Sequence, residues 1–259
     1  ARLLPHRDLL IRSKGKAVHR IVVLGSGKIG RMIAKFLTKS GDYEVRVADS
    51  DARSLERIAR QSRVATEVVD ASDPVQLRAA LKDSDAVVSA LSFRFNPDIA
   101  EAALATGVHY FDLTEDVETT RSVRATAARA RPGQRFVPQC GLAPGFVSIA
   151  AYQLTKSLEK LDSVRMRVGA LPQFPSNALK YNLTWSTDGL INEYCNPCEA
   201  IHEGAKQMVL PLEGLEMFSL DGVRYEAFNT SGGLGSLCDT LEGNVRELNY
   251  KTIRYLGHR

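Results

Sequence analysis

The chain has 259 residues, 44% of them hydrophobic and 25% charged, with a net charge of +4. That size and balance fit a globular protein built as one large domain or two medium ones. Lys and Arg are scattered rather than striped, which argues against a nucleic-acid partner, and no run reaches the ~18 apolar residues that argue for a membrane span.

Residues 1–19 form a basic leader with neither an apolar core nor a small-residue cleavage site, so they do not read as a secretory signal. Residues 20–24 are a continuous apolar run, as in a parallel strand buried on both faces. After a glycine-rich turn, the apolar spacing predicts a helix over 28–40 that stops at Gly41. Strands are predicted at 44–49 and 66–69, with a helix over 52–60 between them. Asp73-Pro74 places a cap before a first-turn proline and opens a helix to Leu81. A strand over 85–90 follows, then Asn96-Pro97 repeats the cap-and-proline signal for a helix ending at Gly107. A strand over 109–112, a helix over 117–130 and a strand over 135–138 complete the first half. Strands alternating with helices at these lengths predict an α/β domain over 20–141, a doubly wound parallel sheet of the Rossmann type.

Gly25-Ser26-Gly27-Lys28-Ile29-Gly30 ends the first strand and opens the first helix, the context that gives a GxGxxG its meaning. Gly25 permits the tight turn, Gly27 lets the backbone approach a pyrophosphate, and Gly30 lets the helix pack on the sheet. The helix N-terminus then offers free N–H groups and partial positive charge. Asp49 ends the second strand 19 residues after Gly30. A carboxylate there accepts ribose hydroxyls and repels a 2′-phosphate, which favours NAD, while nearby Arg53 leaves NADP open. Asp70, after the third strand, could meet the adenine edge or cap its own turn. At the carboxyl ends of the next strands, Ser89-Ala90-Leu91 and the segment 112–116 are expected to border the nicotinamide. Asp112, Thr114 and Asp116 in that acid-rich segment read either as helix capping or as recognition of a substrate amine. Asp112, Asp116 and His109 are the candidates for proton transfer.

The second half carries longer blocks: Cys140-Gly-Leu-Ala-Pro-Gly-Phe146, Gly169-Ala-Leu-Pro172, Tyr181-Asn-Leu-Thr-Trp-Ser-Thr-Asp-Gly189 and Lys251-Thr-Ile-Arg-Tyr-Leu-Gly-His258. These resemble blocks of the saccharopine dehydrogenase-like oxidoreductases, a group that includes saccharopine reductases and lysine 6-dehydrogenases. The resemblance implies a Rossmann domain followed by an α+β substrate domain over 142–259 that often mediates dimerisation. It further implies hydride transfer between a nicotinamide and the amine-bearing carbon of an amino acid, and a homodimer. Two departures stand out. Fungal saccharopine reductases have Asp where this chain has Ala143, and an Arg in the block matching 225–232, where this chain has none between Tyr225 and Cys238. Both losses leave room for a smaller amine than saccharopine. Family members also continue past the last block, so the second domain is expected to be incomplete, with an open sheet edge.

Within that domain Lys180 could anchor a carboxylate, Tyr181 and Trp185 could form an apolar wall with polar edges, and Asp188 could face an ammonium or cap a helix. Cys140 falls at the domain junction as packing or substrate contact. Ser231-Gly-Gly-Leu-Gly235 could cradle an anion or form a plain turn. Four cysteines are too few for a disulfide scaffold and suit a reducing, cytoplasmic compartment. Cys195-Asn-Pro-Cys198 has half the spacing of a zinc site, without a second pair, so no metal is expected. The alternatives to amine oxidation of the saccharopine type are a lysine 6-dehydrogenase-type reaction on a smaller substrate, and a dinucleotide-binding protein without turnover. An epimerase is disfavoured because no Tyr precedes a Lys by four residues in the first half.

Overall fold

The computed structural model describes residues 18–62 and 64–259. The expected leader therefore lies outside the described residues up to residue 17, while His19 already belongs to the first strand. The first half runs β1 (His19–Leu24), α1 (Lys28–Ser40), β2 (Tyr43–Asp49), α2 (Ala52–Gln61), β3 (Ala65–Val68), α3 (Pro74–Leu81), β4 (Ala86–Ser89), α4 (Asn96–Thr106), β5 (His109–Asp112), α5 (Val117–Ala127) and β6 (Phe136–Val137). Its six strands are all parallel, in the order β3-β2-β1-β4-β5-β6. That is the dinucleotide-binding order, with its switch point between β1 and β4.

The apolar run of β1 explains why the sheet sits between two layers. Val22 and Leu24 pack with Leu77, Ile99 and Tyr110 toward α3, α4 and α5. Ile21 and Val23 pack with Ala34, Leu55 and Ile58 toward α1 and α2. Alternate side chains of one strand thus enter two cores. Asp73 caps α3 as its sequence predicts, accepting from the backbone N–H groups of Val75 and Gln76. Asn96 does not cap α4. A 3-10 turn over Phe93–Phe95 precedes the helix, so Asn96 is already helical, and its buried amide oxygen instead accepts from the Ser89 hydroxyl at 2.7 Å.

The second half runs α6 (Phe146–Thr155), β7 (Ser163–Val168), α7 (Thr187–Cys195), β8 (Cys198–His202), β9 (Ala205–Val209), β10 (Glu216–Leu220), β11 (Val223–Asn229), α8 (Leu237–Leu241) and β12 (Glu247–Tyr255). Its mixed sheet has the order β10-β11-β12-β8-β9, and β7 adds in parallel to the other edge of β12. This is the α+β second domain that the sequence implies. The longest strand, β12, pairs with β7, β8 and β11 and so forms the spine of that domain. Its alternation aims Tyr250, Thr252 and Arg254 at the first domain, and Asn249 and Lys251 at the opposite face. No helix among the described residues is long and apolar enough to cross a membrane.

Candidate active site at the domain junction

The glycine-rich turn has the shape that its spacing predicts. Gly25 has φ +106°, and a Cβ there would stand 2.8 Å from the Ala90 carbonyl oxygen at the end of β4. A Cβ on Gly30 would fall 1.9 Å from the Gly25 carbonyl oxygen, so only glycine lets α1 start this close to β1. Gly27, by contrast, faces open space, with no atom within 4 Å of a built Cβ. No side chain caps α1, which leaves its first N–H groups free toward that space. The cradle thus fits a dinucleotide pyrophosphate.

Asp49 closes the turn from behind. One of its carboxylate oxygens accepts from the Ser26 backbone N–H at 2.6 Å and the Ser26 hydroxyl at 2.8 Å; the other accepts from the Asp51 N–H at 2.9 Å. It therefore shapes the loop as well as standing at the ribose position. Asp70 spends one oxygen on the backbone N–H and hydroxyl of Ser72, a turn of its own making. Ser89 is buried and donates to Asn96.

A cavity of about 340 Å³ lies beyond the turn, between the two domains. Ile29, Ala90 and Leu91 line its first-domain side, as the ends of β1 and β4 require. Thr114 and Glu115 line it from the segment after β5, Leu142 and Ala143 from the junction, and Tyr181, Trp185, Glu193, Tyr250, Thr252 and Arg254 from the second domain. The Trp185 indole donates to the Tyr181 hydroxyl at 3.2 Å. The Lys28 ammonium reaches the Leu183 carbonyl at 3.3 Å and ties the start of α1 to the loop that carries Trp185.

Arg254 is only 4% exposed. Its guanidinium lies 4.3 Å from the Tyr181 ring centre, donates from Nε to the Tyr194 hydroxyl at 3.0 Å, and donates from Nη1 to the Ile253 carbonyl. Tyr194 is held in turn by the His258 ring at 3.0 Å. Among the described residues no carboxylate lies within ion-pair distance of Arg254. The cavity thus contains a fixed, buried cation that lacks an anionic partner among the described residues and keeps donors at Nη2, a geometry suited to a carboxylate.

Glu115 and Glu193 are each 7% exposed. Burial pushes the Glu115 carboxyl up to about 7, with the Asp116 and Asp112 charges adding to the rise and the Asn192 side chain opposing it. Burial also pushes Glu193 up to about 8, and the Glu115 charge adds to it while Arg254 opposes. One Glu115 oxygen lies buried without a hydrogen-bond partner. Two buried acids therefore share the cavity.

The residues expected to transfer protons behave differently. Asp112 is fully buried, accepting from the Tyr110 hydroxyl at 2.7 Å and from the backbone N–H groups of Thr114 and Gln139. Asp116 caps α5 through the Thr119 N–H. His109 lies on β5, where its Nδ1 accepts from the Arg135 N–H. None of the three lines the cavity; Glu115, between the two aspartates, does. Lys180 also departs from expectation: its ammonium binds the Leu256 carbonyl at 2.9 Å, which fastens the loop before Tyr181 to the end of β12. Asp188 sits in the first turn of α7, exposed, 3.8 Å from Arg94 and 3.4 Å from the Ser92 hydroxyl, with Ser186 as the helix cap. Cys140 is exposed and its thiol donates to the Val137 carbonyl.

Two glycines of 231–235 are set by close packing. A Cβ on Gly232 would lie 2.2 Å from the Glu115 carbonyl oxygen, and one on Gly233 would lie 2.3 Å from the Tyr250 ring. The turn is therefore pressed between the floor of the cavity and the segment bearing Glu115. Cys195 is exposed and Cys198 buried, both as free thiols. His202, Glu203 and Glu247 bring possible ligand atoms within 4.8 Å of one another at the surface, but Arg246 already donates to both carboxylates.

Comparison with known proteins agrees with this architecture. The model of the saccharopine dehydrogenase NADP binding domain matches residues 21–137, and that of the saccharopine dehydrogenase C-terminal domain matches residues 141–259. The NADP(+), L-glutamate-forming saccharopine dehydrogenase of Saccharomyces cerevisiae is 24% identical over 195 residues, which are 73% of this chain and 43% of that protein. The mitochondrial alpha-aminoadipic semialdehyde synthase of Mus musculus is 19% identical over 192 residues, 71% of this chain and 20% of that protein. This chain thus spans less than half the length of these relatives. The solved apo structure of the Saccharomyces cerevisiae L-Glu-forming saccharopine dehydrogenase superposes with a TM-score of 0.74 at 21% identity, covering 93% of this chain and 56% of that one. With both family models matched and together covering nearly all the described residues, the chain belongs to the saccharopine dehydrogenase family.

Proposed function

We propose that this chain is an NAD(P)-dependent oxidoreductase that transfers a hydride between nicotinamide and the amine-bearing carbon of a small amino acid. The observation that carries this reading is the junction cavity, which opens beside the dinucleotide cradle and holds the unpaired guanidinium of Arg254. When bound, the nicotinamide supplies the hydride acceptor. Gly25, Gly27, Gly30 and the first turn of α1 hold its phosphates, and Ala90 and Leu91 border the ring. Arg254 anchors the substrate carboxylate, and its stacking on Tyr181 fixes the fork in one plane. Trp185 and Tyr181 wall the substrate's carbon chain, and Leu142 and Ala143 limit water at the junction. Anchoring at two ends converts encounter into alignment, which is where most of the rate is gained when the cofactor carries the chemistry.

Ala143 replaces the acid of the fungal block, so the substrate is smaller than saccharopine. Asp49 and the exposed Asp51 place negative charge at the ribose end, which supports NAD over NADP within a family whose model describes NADP binding. The test is NADH and NADPH formation by purified protein with lysine, saccharopine and a panel of short diamino acids. The expected outcome is turnover of a small amino acid with NAD⁺ preferred. Absence of turnover with every amine and both nucleotides would overturn the reading.

A further inference from the structure

Glu115 and Glu193 approach the cavity from different domains, Glu115 from the segment after β5 and Glu193 from the middle of α7. Two ionised carboxylates, each 7% exposed, are costly to bury unless a cation or hydrogen-bond donors meet them. Among the described residues no Lys, Arg or His lies within ion-pair distance of either. Arg254, whose charge acts on Glu193, makes no ion pair with it and is held by Tyr194, the Ile253 carbonyl and the Tyr181 ring. The remaining charged and titratable groups around the pair do not neutralise it. Asp112 and Asp116 add negative charge beside Glu115, while Tyr194, Tyr250 and Cys198 surround Glu193 with neutral groups whose own ionisation burial opposes.

The pair is also not a packing device. Gly189 stands where a Cβ would meet a Glu115 oxygen at 2.7 Å and the Trp185 ring at 2.3 Å, so α7 approaches as close as a glycine allows and still leaves that oxygen without a donor. An orphan acceptor on the wall of a cavity, with a second acid of the same cavity beside it, points to a ligand that brings its own donors and positive charge. A primary ammonium has three donors and one charge.

We propose that Glu115 and Glu193 together form the amine-recognition site of the junction cavity, taking a primary ammonium between them. The step balances for the singly protonated pair, raised as each acid is by burial: one carboxylic acid and one carboxylate plus alkylammonium give two carboxylates with bound alkylammonium plus one free proton. With Arg254 the cavity then reads both ends of an amino acid, carboxylate at the guanidinium and ammonium at the carboxylates. The inference rests on the reading of this cavity as the substrate site, and it adds which residues select an amine.

The experiment uses Trp185, the only tryptophan of the chain, as the reporter on the cavity wall. Pentylamine probes the glutamate pair and hexanoate probes Arg254, each by Trp185 fluorescence between pH 6 and 9 and by calorimetry in two buffers of different ionisation enthalpy. The expected result is pentylamine binding that releases up to one proton and tightens as pH rises toward 8. Glu115→Gln and Glu193→Gln should weaken pentylamine about tenfold or more and leave hexanoate binding within about twofold. Pentylamine binding without proton release would overturn the proposal, as would hexanoate binding with no response to pentylamine; in both cases the oxidoreductase reading stands. Proton-releasing pentylamine binding without nucleotide-linked oxidation of any amine would overturn the oxidoreductase reading alone. Failure of both probes would overturn both. If a glutamine variant fails to fold, proton release by the unaltered protein decides.

Discussion

Replacing Glu193 by Gln is expected to stabilise the free protein in alkaline buffer, an uncommon outcome for a substitution at a residue 7% exposed. Glutamine keeps the size of the protonated side chain and removes the capacity to ionise. In the wild-type chain, burial raises this carboxyl from 4.5 to about 8. A carboxyl whose folded value lies above its unfolded one contributes its full stability below the unfolded value. That stability is then lost as pH rises through the folded value. At about 1.4 kcal/mol per unit, the full loss is of the order of 5 kcal/mol. The amide recovers only part of this, because burying a neutral amide has a desolvation cost of its own, so a net gain of about 2 kcal/mol at pH 9 is expected. For a chain of this length that corresponds to about 6 °C in Tm. Thermal and urea unfolding of both proteins at pH 5, 7 and 9 measure it. The wild type should be the more stable by about 2 kcal/mol at pH 5, and the difference should reverse in favour of the variant as pH rises. A difference that does not change with pH, or one that grows in favour of the wild type, would refute the argument that Glu193 is buried without a partner.

Three further perturbations probe other parts of the molecule. Gly30→Ala places a Cβ 1.9 Å from the Gly25 carbonyl oxygen; NADH binding by calorimetry should be lost while circular dichroism shows the folded chain retained. Arg254→Lys keeps the charge but loses the planar fork and the bond from Nε to Tyr194, so hexanoate affinity measured through Trp185 should fall about tenfold. Glu216 accepts from Arg167 and from Lys251, which is itself 8% exposed. The three bonds, two from Arg167 and one from Lys251, outweigh burial and hold its carboxyl down at about 2. Its contribution is present above the unfolded value and lost only as pH falls through about 2; with the side chain 40% exposed and screened by solvent, Glu216→Gln should cost about 1 kcal/mol in urea unfolding, equally at pH 5 and pH 9, by leaving Lys251 without its anion.

What the sequence makes legible follows from which signals are local. The first domain can be read almost to the residue because each piece has a short-range cause: a two-sided apolar strand, a proline after a capping aspartate, a glycine where a helix and a strand nearly touch. The one misplaced cap, Asn96, is an exception of the same kind, since its amide is drawn away by Ser89 from the neighbouring strand, a partner that no local pattern announces. The cavity is different. Arg254 stands in a strand whose alternation, Tyr250, Thr252, Arg254, looks like an outward polar face until β12 turns out to be the spine of its sheet with another domain against it. Glu115 hides between two aspartates that make a stronger local case for themselves as caps and turns, and the structure shows that they are those caps and turns. Glu193 lies in a helix with nothing in its spacing to distinguish it. These three side chains acquire their chemistry only when two domains close on them and strip away water, so the quantity that defines the site, a buried charge without an opposite charge in ion-pair reach, is absent from any window of sequence. A search for such sites therefore gains most from asking which charged residues fall on the strand and helix faces that the topology brings to a domain junction, since a charge there needs either a protein partner or a ligand.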